Sequence, residues 1–301
     1  GAQFRVVDVV GPWIEDEHSN GNGTECVVEC LTSSQNSLGT TTTLTDMLDQ
    51  IGTVPIPPYL NRDSEASDQS SYNNVFAAGM GSVAAPTAGL HFTDDLLKQI
   101  GNENSSFLSL HVGAGTFKPV VVEDARDHKM HGESFAVNVG EILRIIDAMK
   151  SNKKMIVVGT TSSRTLESLY WCGVKSLIKG NKNSGSEDIM ILDQHEWRDL
   201  KYAASTISAV EAFQAIVEGK KSNETVFGRT SLMIVPNAYD FKVVDNLITN
   251  FHAPDSTLML LVSAFLGSGQ KVTQVYAEAQ SMGYRFLSYG DVCYFSKPDN
   301  Q

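Results

Sequence analysis

Basic residues are scarce in this 301-residue chain: 23 lysines and arginines stand against 35 aspartates and glutamates, a net charge of −12. That balance excludes a surface that is basic throughout, the footprint of a protein whose main task is to coat nucleic acid. A local basic face stays open, because Lys153, Lys154, Arg164, Lys175, Lys179, Lys182, Lys220, Lys221 and Arg229 enrich the middle of the chain in cations. Cysteine is also rare. Cys26, Cys30, Cys172 and Cys293 form no pair of pairs of the metal-binding kind and read as reduced thiols in a cytosol-like compartment. Long apolar runs are missing. The longest, residues 258–266, falls well short of the roughly 20 residues that span a bilayer, so no membrane partner is expected. With 42% hydrophobic and 19% charged residues, the chain reads as globular, with room for one large domain or two smaller ones.

What is present is concentrated between residues 81 and 133. Four of the seven histidines fall there: His91, His111, His128 and His131. They lie among small residues and glycines, in the runs GSVAAPTAGLHFT (81–93) and LHVGAGTFKP (110–119), where backbone can approach a ligand closely. Imidazoles titrate near neutrality, so this grouping points to a reaction site more than to packing.

The rest of the chain supplies a frame. Residues 4–10 are strand-like, 15–24 read as a polar hairpin loop, and 25–31 are β-rich. A charged, Ser-rich connector is expected over 61–71. After it, helical and strand patterns alternate, which argues an α/β domain. Thr93 is expected to cap a helix with Asp94 and Asp95 in its first turn, Leu96, Leu97 and Ile100 on its apolar face, and Gly101 as its stop. Strands are expected over 107–112, 155–158 and 231–235. Helices are expected over 140–149, 163–171, 257–265 and 275–282, and a flexible loop over 179–187.

Four constellations carry chemistry. His111 enters a Gly113-X-Gly115 turn followed by Thr116, whose backbone N–H groups suit an anionic or ribose group. His128-X-X-His131-X-Glu133 suits acid/base work or substrate binding. Zinc ligation would want a helical His face, which Gly132 and the upstream Pro119 disfavour, so no metal is expected. Residues 158–164 read as a strand, a hydroxyl-rich turn and a helix start. Thr161 and Arg164 stand there to hold a carboxylate or phosphate, or Thr161 merely caps the helix. Residues 245–252 (DNLITNFH) read as a loop whose Asp245, Asn250 and His252 offer donors and acceptors to a sugar or base.

These motifs carry a resemblance. Residues 81–93 with 110–119, then VGTTSSRTLES (158–168), FKVVDNLITNFH (241–252), YRFLSYGD (284–291) and VPIPPY (54–59) resemble the S-adenosylmethionine:tRNA ribosyltransferase-isomerase family of queuosine biosynthesis, in the same order. The resemblance covers roughly residue 53 to the C-terminus. It implies an α/β main domain over 59–301 and an inserted β-barrel, of which 1–58 would be the rear part, the sequence opening inside that domain. It implies transfer and isomerisation of the ribosyl group of S-adenosylmethionine onto 7-aminomethyl-7-deazaguanine in tRNA, giving epoxyqueuosine while adenine and methionine leave. S-adenosylmethionine would be a substrate, with no cofactor, and the location cytoplasmic. His91, His111, His128, His131 and Glu133 become the proton-transfer candidates. Thr87, Gly113, Gly115, Thr116, Thr161, Arg164, Asp245, Asn250 and His252 become the binding candidates. Two other readings stay open: a noncatalytic homologue that binds an adenosyl ligand or a partner, and a metal-dependent hydrolase using His128, His131 and Glu133.

Overall fold

The computed structural model describes residues 4–10, 25–30, 52–77, 84–112, 122, 128–179 and 189–297. The chain divides into two units, Gly1–Val54 and Pro55–Gln301. In the first, β1 (Phe4–Val10) pairs antiparallel with β2 (Glu25–Cys30), with a register shift between Val6 and Asp8. No closed barrel is present among the described residues; the loop expected over 15–24 lies outside them.

The second unit is mixed α/β. In chain order it contains α1 (Asp94–Ile100), β3 (Ser109–His111), β4 (Glu133–Asn138), α2 (Val139–Lys150), β5 (Ile156–Val158) and α3 (Thr160–Lys179). Then come β6 (Ile189–Leu192), α4 (Ala209–Val217), β7 (Thr225–Thr230) and β8 (Asn246–Asn250). It closes with α5 (Thr257–Phe265), α6 (Gly269–Ser281) and β9 (Val292–Ser296). One sheet has the order β3-β4-β7-β6, antiparallel except for the parallel β6–β7 pair; the other has the order β5-β8-β9, with β5 and β8 parallel.

Local chemistry explains these elements. In β4, Glu133, Phe135 and Val137 point inward while Ser134 and Asn138 face out, the period of two that a half-buried strand requires. Asn138 ends the strand and caps α2, its side chain accepting from Gly140 N; Ile142, Ile145 and Ile146 then bury one helical stripe. Thr93 caps α1 as expected, accepting from Leu96 N, but the apolar face stays thinly covered and Leu96 is exposed. Helix α3 runs eight residues past the expected end at Trp171. Gly173 does not break it: a Cβ there would sit 2.0 Å from Ala212 O, so glycine is what lets α3 and α4 touch.

Two expectations are corrected. Residues 231–235 join no ladder, although 232–235 are deeply buried; the neighbouring strand β7 ends at Thr230, and Ser231 N and Met233 N bond to Leu192 O and Gln194 O instead. Residues 246–250 form no loop. They are β8, the central strand of the second sheet, and most of it is buried on both faces. A polar sequence hid a strand whose neighbours take up the side-chain amide nitrogens of Asn246 and Asn250.

Glu167 anchors the middle of this unit. It is fully buried on α3, and its carboxylate accepts from the N–H groups of Lys242, Val243 and Val244 and from the Tyr239 hydroxyl, at 2.8–3.2 Å. Trp171 Nε1 in turn donates to Tyr239 Oη at 2.7 Å. Burial pushes the Glu167 carboxyl up, and the N–H groups oppose that push.

The expected connector 61–71 is tied down as well. Asp68, 1% exposed, takes Arg62 in a two-pronged bond of 2.7 and 2.8 Å and also accepts from Glu65 N and Tyr289 Oη. The Arg62 guanidinium and the Glu65 N–H hold the Asp68 carboxyl well below the usual carboxylate range. A depressed carboxyl contributes stability that is fully present above its unfolded value near 4 and is lost as pH falls below it. The stability gap between wild type and Asp68→Asn should therefore be full above about pH 5, narrow progressively as pH falls below about 4, and close only below the depressed folded value, with the variant weaker. Equal stability at pH 7 would show the clamp contributes nothing.

Candidate functional site

Strand direction gathers the candidates. In the four-stranded sheet, β3, β6 and β7 end where β4 begins, so His111, Leu192 and Thr230 share one end with Glu133. In the other sheet, β5 and β8 end together at Val158 and Asn250. Gly159, at φ 87°, turns the chain from β5 into α3. Arg164 lies about 6 Å along that helix from its start and reaches Glu133. Loop-borne groups at strand C-termini beside a helix N-terminus are where open α/β sheets bind ligands.

The first cluster is a relay. Arg164, 7% exposed, donates from Nη1 to Glu133 Oε2 at 2.8 Å, and Glu133 is 3% exposed. The other carboxylate oxygen, Oε1, lies 3.4 Å from His131 Nε2, whose side chain is 32% exposed. A buried, paired carboxylate thus orients an imidazole that solvent and ligand can reach, the base-and-orienter arrangement of many active sites. Gly132 leaves room for Arg229: a Cβ at 132 would sit 2.3 Å from Arg229 Nε.

His128 adjoins this relay. Its carbonyl accepts from Gln194 Nε2 at 2.6 Å, while Gln194 Oε1 accepts from Met130 N at 2.9 Å. One side-chain amide therefore pairs with the backbone on both sides of Lys129 and fixes the segment that carries both histidines. No spacing or pattern marks Gln194; it follows a buried strand and only the fold brings it here. Burial holds the His128 imidazole below its ordinary value, and the neighbouring His131 adds to that.

The second cluster forms around β8. His91 ends a 3₁₀ turn, Thr87–His91, that packs on β8, and its Nε2 lies 3.1 Å from Asn250 Nδ2. Burial lowers the His91 pKa against an opposing pull from Asp291. The Asn250 amide also meets the carbonyls of Leu287 and Ser288, and Tyr59 and Ser288 are joined through their hydroxyls. In the sequence Tyr59, Ser288 and Tyr289 are only parts of motifs; their convergence needs the fold.

Other candidates lie elsewhere. His252 Nε2 bonds Thr249 Oγ1 at 2.9 Å, and burial pushes its imidazole down to about 4, so it is neutral at pH 7. Asp245 accepts from Met155 N at 2.8 Å. It precedes β8 at the opposite end from Asn250, about 16 Å away. Thr87 and Thr161 are half-buried at the turn and at the helix start. Gly113, Gly115 and Thr116 lie outside the described residues.

Among the described residues, no three of His, Cys, Asp and Glu converge to hold a metal ion, and Glu133 is committed to Arg164. The purified protein is expected to carry no stoichiometric zinc. Elemental analysis that finds one zinc per chain, lost on replacing His128, would contradict this. No helix of the described residues is long and apolar enough to cross a membrane.

An imidazole beside a buried carboxylate at the strand ends is an arrangement chemically able to take up and return a proton. The family model for queuosine biosynthesis protein matches residues 14–295, and the chain belongs to that family. It is 40% identical over 247 residues to the S-adenosylmethionine:tRNA ribosyltransferase-isomerase of Halothermothrix orenii, a match covering 81% of this chain and 58% of that relative. The chain thus spans a little over half the length of the curated relative it matches. A crystal structure of S-adenosylmethionine tRNA ribosyltransferase from Thermotoga maritima is similar over 69% of this chain and 50% of that chain, at 26% identity and a TM-score of 0.41.

Proposed function

We propose that this chain transfers and isomerises the ribosyl group of S-adenosylmethionine onto 7-aminomethyl-7-deazaguanine in tRNA. The product is epoxyqueuosine-tRNA, with adenine and methionine released. Family membership supports the reading. The observation that carries it to particular residues is the His131–Glu133–Arg164 relay. The reaction needs a base for the proton on the ribose carbon beside the sulfonium and an acid to help adenine leave. His131, accessible and oriented by Glu133, is assigned the first task. His91, His111 and His128 stand near strand ends for the second. Arg164 acts through Glu133 rather than on a ligand, since its guanidinium is buried against that carboxylate.

Thr87 and Thr161 remain the residues assigned to hold the donor, together with Gly113, Gly115 and Thr116, which lie outside the described residues, while Asn250, 2% exposed, acts through His91. Asp245 and His252 are assigned to the fold instead. S-adenosylmethionine is consumed as a substrate, no cofactor takes part, and the cytoplasm is the proposed location. Incubating the protein with S-adenosylmethionine and tRNA carrying the 7-aminomethyl-7-deazaguanine base should release adenine and methionine in equal amounts, and only when that base is present. Adenine release that is independent of tRNA, or none at all, would defeat the proposal.

A further inference from the structure

One side-chain nitrogen sets the state of His91. Asn250 Nδ2 lies 3.1 Å from His91 Nε2, 3.3 Å from the Leu287 carbonyl oxygen and 3.5 Å from the Ser288 carbonyl oxygen. Carbonyl oxygens only accept, so the atom that faces them is the amide nitrogen and not the amide oxygen. That nitrogen donates and does not accept. The imidazole nitrogen beside it must therefore accept, which leaves the ring proton on the other nitrogen.

We propose that Asn250 is a positioning residue that holds His91 as its neutral Nδ1–H tautomer, making Nδ1–H the hydrogen-bond donor that His91 presents. In the ribosyl-transfer reading, that N–H is the donor available to departing adenine. This last role rests on that reading; the tautomer itself does not.

The surroundings leave the amide no alternative. Asn250 is 2% exposed at the end of β8. The carbonyls it meets belong to a fixed loop. Leu287 takes φ 70°, its N–H donates to Phe251 O at 2.9 Å, and Gly290 N donates back to Leu287 O at 3.1 Å. Gly290 tolerates no side chain, because a Cβ would lie 2.5 Å from the Arg285 and Phe286 carbonyl oxygens. The loop therefore cannot turn these carbonyls away and free the amide to flip. Burial favours the neutral ring. The charged group felt by His91 from the opposite loop is Asp291, whose carboxylate is already bonded to Arg285 N at 2.7 Å. Asn250 Oδ1, in contrast, is buried with no hydrogen-bond partner among the described residues. An asparagine kept only for packing would be expected to satisfy that oxygen.

Nitrogen-15 spectroscopy of the histidine rings in the ligand-free protein at neutral pH tests this, with His91→Gln assigning the signal by its loss. The expected wild-type spectrum has a protonated Nδ1 and a pyridine-type Nε2 for His91. Asn250→Leu removes the donor and should move the proton to Nε2, the tautomer a free imidazole prefers. A wild-type His91 protonated at Nε2, or present as the imidazolium, overturns the proposal. So does an Asn250→Leu protein in which Nδ1–H persists. If that variant does not fold, the wild-type spectrum decides alone. Neither result depends on turnover, so a failed tautomer and a failed ribosyl-transfer assay are separate outcomes.

Discussion

His131→Ala is expected to lower tRNA-dependent adenine release by about 100- to 10,000-fold, the usual worth of a positioned proton-transfer group. The effect should fall on kcat, because the proton is taken in the chemical step, while KM for S-adenosylmethionine changes little. His131 is accessible and packs in no core cluster, so the variant should keep the thermal midpoint of the wild type. Glu133 makes the prediction more specific. In Glu133→Gln the His131 partner loses its charge, and Arg164 is left buried beside a neutral amide. Rate and stability should then fall together, since stranding one member of a buried ion pair costs about 3–5 kcal/mol. A kcat loss under about tenfold in His131→Ala would remove this residue from the proton-transfer role and pass the task to another histidine of the cluster.

Glu167→Ala should produce the largest loss of stability. Three backbone N–H groups and the Tyr239 hydroxyl converge on the Glu167 carboxylate in a site that water does not reach. Truncation leaves those donors without an acceptor, at about 1–3 kcal/mol for each group left unmade, and adds a cavity. A typical domain holds only about 5–15 kcal/mol in total. The variant is expected to lose at least about 3 kcal/mol in urea unfolding and to move the denaturation midpoint with it. Glu167→Gln keeps the volume and one acceptor oxygen but turns an NH2 toward N–H donors, so it should fall between wild type and alanine. A Glu167→Ala protein within about 1 kcal/mol of wild type would mean the 241–244 backbone finds other partners, contrary to this account.

The sequence was most legible where one chain segment carries its own signal. The helix capped by Thr93 and the amphipathic stripe of α2 follow from local periodicity and caps. The histidine grouping stood out because four imidazoles in about forty residues need no fold to be noticed. Legibility failed where tertiary partners decide. β8 looked like a loop because its ends are asparagines, and a buried asparagine is acceptable only when neighbours bond it, as Ser296 bonds Asn246. Residues 231–235 looked like a strand because they are apolar, yet burial alone does not supply a ladder. In sequence Arg164 looks like a ligand-gripping group. The carboxylate it grips is Glu133, 31 residues away, and spacing along the chain carries no trace of that pair. Gln194 gives no signal at all, since it acts on backbone atoms of a distant segment, and Ser288 stands only inside a motif that does not announce its partners Tyr59 and Asn250.

The central claim is that this chain moves a ribosyl group from S-adenosylmethionine into tRNA through the His131 relay. The most direct measurement uses S-adenosylmethionine labelled with carbon-13 in the ribose alone. The tRNA is digested after reaction, and the mass of its modified nucleoside is read for wild type and for His131→Ala. The account predicts that the wild-type nucleoside gains the whole labelled ribosyl unit, one for each adenine released, and that His131→Ala gives only a trace. Labelled ribose remaining entirely outside the tRNA while adenine is released, or full labelling by His131→Ala, would contradict it.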